Sequence, residues 1–341
     1  MEFGIVGLEL AGKTTLFSLL TGHAPAAAGG KRETHVGMAQ VPDPRLDRLT
    51  ALFQPKKHTP ATVRFVDVPG IARGGGQGLN LPELRTLDGL AAVVRGFASE
   101  AVPHPEGAVD PARDLELLET ELVIADHTLV TNRLERLAKE ATRRKDPAQA
   151  LELGALQRCG AALDQGRPLR EVELSDEERR ALRGYAFFTL KPLLVVLNVG
   201  EGQASSLGPA LEASGLRSWE GRPHTRVCAV CAPLEEEIAR LEPADQAAFL
   251  AELGLPDRAL DRVLQAAYEL LGLISFLTAG EDEWDQLLDQ RVRHDLQRLE
   301  SVGVLTSTAS GDLVVPTALR GAVARGVITV LAILSGDFET D

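Results

Sequence analysis

Short apolar runs separated by amphipathic stretches dominate the pattern of hydrophobic and polar positions. The runs Phe3 to Val6, Ala61 to Val68, Gly89 to Val94, Pro192 to Asn198 and Arg226 to Val230 have the length and residue types of buried strands. Helical patterns lie between most of them. This alternation predicts an α/β fold with a largely parallel sheet.

The stretch from about Asp110 to Arg183 has a different pattern. Its Leu, Ile and Val residues recur at helical spacing among acidic and basic residues, and a break at Lys145-Asp-Pro147 precedes a second helical run, Ala148 to Leu163. Two amphipathic helices joined by a Pro-containing turn predict an antiparallel helical hairpin inserted into the α/β domain. We place the α/β domain at 1–109 and 186–275 and the insertion at 110–185.

The last part of the chain, 276–341, forms a further predicted unit. A helix running into a strand (Ala266 to Leu277) leads to a charged helix, Trp284 to Ser301. A short strand pair around Gly311 and the β-prone run Gly326 to Leu334 follow. These patterns predict a small α+β domain.

The composition indicates the cellular compartment of the chain and the partners it can have. No apolar run is long enough to span a membrane, the N-terminus lacks signal-peptide features, and three cysteines fit a reducing cytoplasm. We expect a cytoplasmic monomer without membrane or DNA partners. The formal net charge of −13 opposes broad nucleic-acid binding, so RNA or ribosome contact needs a local basic patch. Lys56-Lys57 and Arg143-Arg144-Lys145 are the candidates, although such runs are usually solvated surface.

The run Gly7-Leu-Glu-Leu-Ala-Gly12-Lys13-Thr14 is a complete G-x-x-x-x-G-K-[ST] phosphate loop between a predicted strand and a predicted helix. That order points backbone N–H groups and the helix dipole at one phosphate cluster. Lys13 is expected to reach the β- and γ-phosphates, and the Thr14 hydroxyl to bind Mg²⁺. The residues assigned to phosphate contact are Leu10, Ala11, Gly12, Lys13, Thr14 and Thr15.

Asp67-Val-Pro-Gly70 closes a second predicted strand. A carboxylate there suits the Mg²⁺ shell, and the Gly70 N–H suits a contact with the γ-phosphate. We therefore assign Lys13, Thr14 and Asp67 to catalysis, and Thr14 and Asp67 to the metal. The alternative is an ordinary turn at a strand end.

Two further segments are candidates for contact with the base. Asn198-Val199-Gly-Glu201 follows an apolar strand and has Glu where guanine-specific proteins have Asp, which favours ATP/ADP over GTP/GDP without deciding between them. A role of Glu201 in a loop or at a helix start stays open. Cys231 and Ala232 follow the next strand. Cys228 and Cys231 form a single C-x-x-C, which is either structural or redox-sensitive, since zinc requires further ligands.

Runs outside these motifs resemble the YchF/Obg-like ATPase family, a branch of the Obg-type P-loop GTPases, over roughly residues 1–283. They are Val41-Pro-Asp-Pro-Arg-Leu-Asp-Arg-Leu, Gln54-Pro-Lys-Lys-His-Thr-Pro-Ala-Thr-Val-Arg-Phe-Val-Asp, Gly107-Ala-Val-Asp-Pro-Ala-Arg-Asp-Leu-Glu, Thr120-Glu-Leu-Val-Ile-Ala-Asp, Leu253-Gly-Leu-Pro and Ala266-Ala-Tyr-Glu-Leu-Leu-Gly-Leu-Ile-Ser-Phe-Leu-Thr-Ala-Gly-Glu. The resemblance implies a Rossmann-like P-loop domain, a coiled-coil insertion and a C-terminal TGS domain. It also implies ATP hydrolysis with Mg²⁺ and association with the ribosome.

The chain departs from this family where hydrolysis is controlled. Leu10 stands in place of the family's Asn, and Glu9 brings a carboxylate towards the γ-phosphate. In the first switch Lys31 falls on the family's Thr, so Thr34 reaches the metal only after a loop shift. Ile71 occupies the position of the water-orienting Gln of Ras-type enzymes, as the resemblance implies. The loop Gly74-Gly-Gly-Gln-Gly and the TGS-like tail are shortened.

Three functions follow from these residues. The first is a slow nucleoside triphosphatase switch, because the motif set is complete and ordered. The second is a nucleotide-binding interaction module with little turnover, because the switch residues are altered while the binding residues remain. The third, a redox protein using Cys228 and Cys231, has only the C-x-x-C in its favour.

Overall fold

The computed structural model describes residues 2–22, 34–53, 58–68, 82–140, 147–273, 306–307 and 313–314. The strands are β1 (Glu2–Val6), β2 (His35–Gln40), β3 (Thr62–Asp67), β4 (Gly89–Gly96), β5 (Leu193–Val199), β6 (Thr225–Val230), β7 (Thr306–Ser307) and β8 (Leu313–Val314). The helices are α1 (Lys13–Thr21), α2 (Pro44–Phe53), α3 (Pro82–Thr86), α4 (Pro111–Glu140), α5 (Pro147–Asp164), α6 (Asp176–Leu182), α7 (Leu207–Ala213), α8 (Ala232–Arg240), α9 (Pro243–Glu252) and α10 (Ala259–Leu270).

Within the described residues, a six-stranded sheet has the order β2-β3-β1-β4-β5-β6. The pairs β3–β1, β1–β4, β4–β5 and β5–β6 are parallel, and β2 pairs antiparallel to β3 at one edge. The predicted α/β fold with a mostly parallel sheet is thereby confirmed. The edge strand β2 was not predicted.

Both faces of the sheet are covered. In β5 the alternate residues Leu193, Val195, Leu197 and Val199 belong to a core cluster with the first half of α4 and with α7. Their neighbours on the strand are buried too, as the whole of β5 is. A strand buried on both faces is a continuous apolar run, which is why the sequence pattern showed it so clearly.

The hairpin consists of α4 and α5. Two ion pairs join the helices, His127–Asp164 and Arg133–Glu152. From the first pair to the second, the residue on α4 comes later in the sequence and the residue on α5 comes earlier. The helices are therefore antiparallel, as predicted. Leu115, Leu118 and Leu122 of α4 pack in the sheet's core cluster. Farther along, α4 packs on α5 in a second cluster that includes Val130, Leu137, Leu156 and Cys159. One helix thus belongs to both cores.

Buried hydrogen bonds and a buried ion pair join α4 to residues that precede β5 in the sequence. Asp126 is fully buried and accepts hydrogen bonds from Phe188 N at 3.0 Å, Thr189 N at 2.7 Å and Thr189 Oγ1 at 2.8 Å. Glu119 pairs with buried Arg170 at 2.5 Å. These carboxylates tie the helix to the segment that leads into β5.

The contacts divide the chain into two compact units, Met1–Gln40 with Thr62–Leu271 and Val41–Ala61 with Gly272–Asp341. The second unit contains α2 and the antiparallel pair β7–β8, which is the strand pair predicted around Gly311. The predicted helix at Trp284 to Ser301, the run from Gly326 and most of the TGS-like domain lie outside the described residues. None of the helices among the described residues is long and apolar enough to cross a membrane.

Candidate functional site

The phosphate loop connects β1 to α1 at the carboxyl end of the sheet's parallel strands. Three of its residues have positive φ angles: Gly7 (148°), Leu10 (62°) and Gly12 (93°). Such a turn before a helix N-terminus aims successive N–H groups into one concavity. Leu10 has the left-handed backbone although it carries a Cβ, which costs about 1–2 kcal/mol, and its side chain is 52% exposed. Strained backbone of this kind concentrates at functional sites.

Glycine is required at both ends of the loop. A Cβ at Gly7 would lie 2.4 Å from the carbonyl oxygen of Val93, on β4. A Cβ at Gly12 would lie 2.4 Å from Nδ2 of Asn198, on β5. The loop is therefore packed closely against the backbone of β4 and against the Asn198 side chain of β5.

Lys13 is folded onto its own loop. Its Nζ donates a 2.8 Å hydrogen bond to the Leu8 carbonyl, and the residue is buried. Burial lowers the pKa of Lys13 to about 8, although the nearby Asp67 and Glu9 carboxylates raise it. A phosphate group is a stronger partner for this ammonium than one carbonyl.

Thr14 and Asp67, the two residues assigned to the metal from the sequence, are in direct contact. The Thr14 hydroxyl donates a 2.8 Å hydrogen bond to Asp67 Oδ2. Burial raises the pKa of Asp67, while Thr14, Lys13 and His35 lower it. Asp67 Oδ1 is buried and has no hydrogen-bond partner among the described residues. A buried carboxylate oxygen without a partner, beside a hydroxyl, fits a hard divalent cation such as Mg²⁺.

Asn198 joins the two loops on either side of it. Its Nδ2 donates to the Ala11 carbonyl, and its Oδ1 accepts from the Ala232 N–H, both at 3.3 Å. Because Nδ2 carries two hydrogens, one donor remains for a ligand. The predicted contact residues Ala11, Asn198 and Ala232 therefore lie together.

The other residues predicted to contact the nucleotide differ in which of their groups a ligand can reach. Glu201 is exposed and begins a short 3-10 helix, Glu201–Ser206. Val199 and Cys231 are buried in the core, so only their backbone is available to a ligand. Thr15 is exposed on the first turn of α1. The predicted contact Gly70 and the altered positions Lys31 and Ile71 lie outside the described residues.

The cysteines have the features of structural residues. Cys228 and Cys231 are free thiols. Burial raises the pKa of Cys228 to about 11 and also raises the pKa of Cys231. Thiols with raised pKa values are poor nucleophiles at neutral pH. Among the described residues no three His, Cys, Asp or Glu side chains form a metal-binding group.

Sequence reasoning missed two groups beside the loop. Phe97, just after β4, lies within 3.4 Å of a Cβ built at Gly200, and the Arg95 guanidinium stacks over its ring at 4.5 Å. Arg95 also donates to the carbonyls of Phe97 (3.0 Å) and Val102 (2.7 Å). Phe97 thus borders the loop that carries Glu201. The signal in the sequence was one aromatic residue at a strand end, which is too common to be informative.

The second missed group lines a small cavity behind the phosphate loop. Gly7, Leu8 and Glu9 face Arg95, His104 and Asp114 across it. His104 Nδ1 accepts from the Glu106 N–H at 3.1 Å, so in the neutral ring the proton lies on Nε2, which is 2.9 Å from Asp114 Oδ2. Asp114 belongs to the first turn of α4. The cavity therefore connects the loop to the helical insertion.

This loop, with its lysine, threonine and strand-end aspartate on a mostly parallel sheet, defines a P-loop nucleoside triphosphatase. The chain is 36% identical to the ribosome-binding ATPase YchF of Bacillus subtilis over 288 residues, which is 82% of this chain and 78% of the relative. It is 37% identical to the protein of that name in Escherichia coli O157:H7, with the same coverage. The chain belongs to the YchF family.

A solved structure agrees with this assignment. The Schizosaccharomyces pombe YchF GTPase superimposes with a TM-score of 0.68 at 26% identity, covering 83% of this chain and 78% of that one. No family model matches the chain. The resemblance stated from the sequence is confirmed. The bacterial relatives are named as ATPases and the yeast protein as a GTPase.

Proposed function

We propose that the chain is a cytoplasmic, Mg²⁺-dependent nucleotide switch that binds ATP, hydrolyses it slowly and associates with the ribosome. The observation that carries this is the hydrogen bond between Thr14 and Asp67 beside buried Lys13. Their side chains supply the kinds of group that a P-loop protein uses as metal ligand, as carboxylate near the metal and as phosphate-binding cation. Relatives named as ribosome-binding ATPases support the nucleotide and the partner.

Binding uses groups that the loop already presents. The amides between Leu8 and Thr14 bind the phosphate oxygens, and Lys13 Nζ exchanges the Leu8 carbonyl for the β- and γ-phosphates. Thr14 Oγ1 and the partnerless Asp67 oxygen hold the divalent ion, which when bound neutralises phosphate charge. No rearrangement of β1 or β3 is required for this.

The base lies, in this proposal, between Phe97 and the loop that begins at Glu201. The free hydrogen of the Asn198 amide suits an acceptor that both purines have, such as the ring nitrogen N7. The exposed carboxylate of Glu201, which is longer than the Asp of guanine-specific proteins, accepts from the amino group of adenine. This favours ATP over GTP.

Hydrolysis is expected to be slow because water is not positioned by a glutamine, and Ile71 stands in its place. Phosphoryl transfer depends on positioning and charge stabilisation, so the altered switch reduces turnover without reducing affinity. The second candidate, a nucleotide-dependent interaction module without turnover, is favoured by Leu10. Its exposed side chain is apolar, so it offers the phosphates no polar group beyond its backbone N–H.

Calorimetry and turnover decide between them. We expect the full chain to bind Mg·ADP and a non-hydrolysable ATP analogue at micromolar concentrations, with weaker binding of GDP. It should release phosphate from Mg·ATP above the rate of a Lys13→Ala variant, with Lys139→Ala, on the hairpin, as the matched control. Affinity without turnover would favour the interaction module. Absence of affinity for every nucleotide would refute both.

A further inference from the structure

His35 lies beside the metal-binding carboxylate. In the antiparallel pair of β2 and β3, His35 is directly opposite Asp67. Residues directly opposite each other project from the same face, with Cβ atoms about 4.5–5.5 Å apart. The Asp67 side chain projects towards α1, since it accepts the Thr14 hydroxyl. His35 therefore projects towards α1 as well.

A ring contact fixes the direction of the imidazole. The centroid of His35 is 6.4 Å from that of Phe17, and the rings are tilted by 38°. Phe17 is three residues after Thr14 on α1, so the two share one helix face. His35 is accordingly bounded by Phe17 on one side and by the Thr14–Asp67 pair on the other.

The imidazole has the freedom to act as a ligand. Its ring nitrogens have no hydrogen-bond partner among the described residues, and His35 is only half-buried.

We propose that His35 donates an imidazole nitrogen to the divalent cation held by Thr14, Asp67 and the nucleotide, and so makes the site prefer Mn²⁺ to Mg²⁺. Mg²⁺ takes oxygen ligands almost exclusively, whereas first-row transition ions accept imidazole readily. Two protein side chains of the His/Asp type are enough here because the phosphates complete the shell. The inference rests on the proposed nucleotide site and adds the identity of its metal.

Pulsed electron paramagnetic resonance of Mn²⁺·ADP bound to the full chain tests this. A directly coordinated imidazole gives nitrogen-14 modulation in the spin echo. We expect that modulation in the wild-type complex, its replacement when the protein contains nitrogen-15 histidine, and its loss in His35→Asn. The matched control is His58→Asn, another accessible histidine, which should leave it unchanged. Histidine labelling needs no substitution, so a misfolded variant does not stop the test.

Calorimetry with Mn²⁺ and with Mg²⁺ distinguishes a failure of the His35 inference from a failure of the proposed function. We expect the preference for Mn·ADP over Mg·ADP to fall about tenfold in His35→Asn, the size of change that losing one metal-supporting group produces. If ADP binds with both metals but shows no histidine modulation, His35 only packs on Phe17 and this inference is wrong. If ADP binds with neither metal, the proposed function is wrong as well.

Discussion

At the scale of single residues, the site depends on a few positions whose geometry admits one residue type. Gly7 and Gly12 allow the loop to touch β4 and β5, and Asn198 joins loops that are 187 and 34 residues from it in sequence. The sequence predicted the loop and Thr14 because their spacing is a known motif, and Asp67 because it ends a predicted strand downstream of that loop. It could not predict the Asn198 bridge, which depends on three segments that only folding brings together.

Replacing Gly7 tests the close approach. Gly7→Ala should lower the free energy of unfolding by about 3 kcal/mol or more, because its Cβ collides with the Val93 carbonyl at an unfavourable φ. Gly22→Ala is the matched control, since Gly22 also has positive φ but nothing lies within 4 Å of its Cβ. It should cost about 1 kcal/mol. Equal costs in urea denaturation would contradict the packing described.

Buried Lys13 predicts a pH dependence of stability. Its pKa is about 8 in the folded chain and 10.5 in the unfolded one, so between these values the folded chain binds fewer protons. The free energy of unfolding of the wild-type chain, relative to that of a Lys13→Met variant, should therefore rise as the pH increases from about 8 to 10.5. Below this window, the cost of burying the charged Lys13 ammonium should be fully present. Urea titrations of both proteins across the window measure the difference. A constant difference would show that the ammonium is solvated.

At the scale of elements, the predicted strand ends lie within one or two residues of the observed ends wherever a strand is buried on both faces. The prediction Pro192 to Asn198, for example, compares with Leu193–Val199 in the structure. Strand β2 was missed because Gly37 interrupts it and exposed Val36 and Met38 obscure its alternation. Its existence depends on pairing with β3, which local pattern does not contain.

The hairpin is predicted to depend on one buried carboxylate. Asp126→Ala removes the acceptor for two N–H groups and a hydroxyl, and should cost about 3 kcal/mol or more, because it leaves buried donors unsatisfied. Asp164→Ala, on the same hairpin, breaks only the exposed pair with His127 and should cost less than about 1 kcal/mol. Thermal and urea unfolding measure both. Similar losses would mean that α4 is held by apolar packing alone.

At the scale of the whole molecule, α4 runs from the cavity behind the phosphate loop to the hairpin core. Its first turn carries Asp114, which faces the loop with His104, and its later turns pack on α5. The chain's negative charge means that the proposed ribosome contact has to be local. His104, Arg95 and Phe97 could not be predicted, since isolated residues without a motif have no sequence signal.

Ribosome association is predicted to depend on the basic run near the hairpin's connection. Replacing Arg143, Arg144 and Lys145 together by Ala should weaken cosedimentation with ribosomes and reduce the salt dependence of log K by about 2–3 units. The triple Ala variant of Arg179, Arg180 and Arg183, on and just after α6, removes the same charge and is the control. Equal weakening would indicate a general charge effect and not a docking surface.

The central claim is that the turn between β1 and α1 binds a diphosphate. A crystal structure of the chain grown with Mg·ADP tests it most directly. The account predicts a β-phosphate bonded to the loop amides, with Lys13 Nζ moved from the Leu8 carbonyl to a phosphate oxygen. Lys13 remaining on that carbonyl at saturating ADP, with no phosphate in the turn, would contradict it.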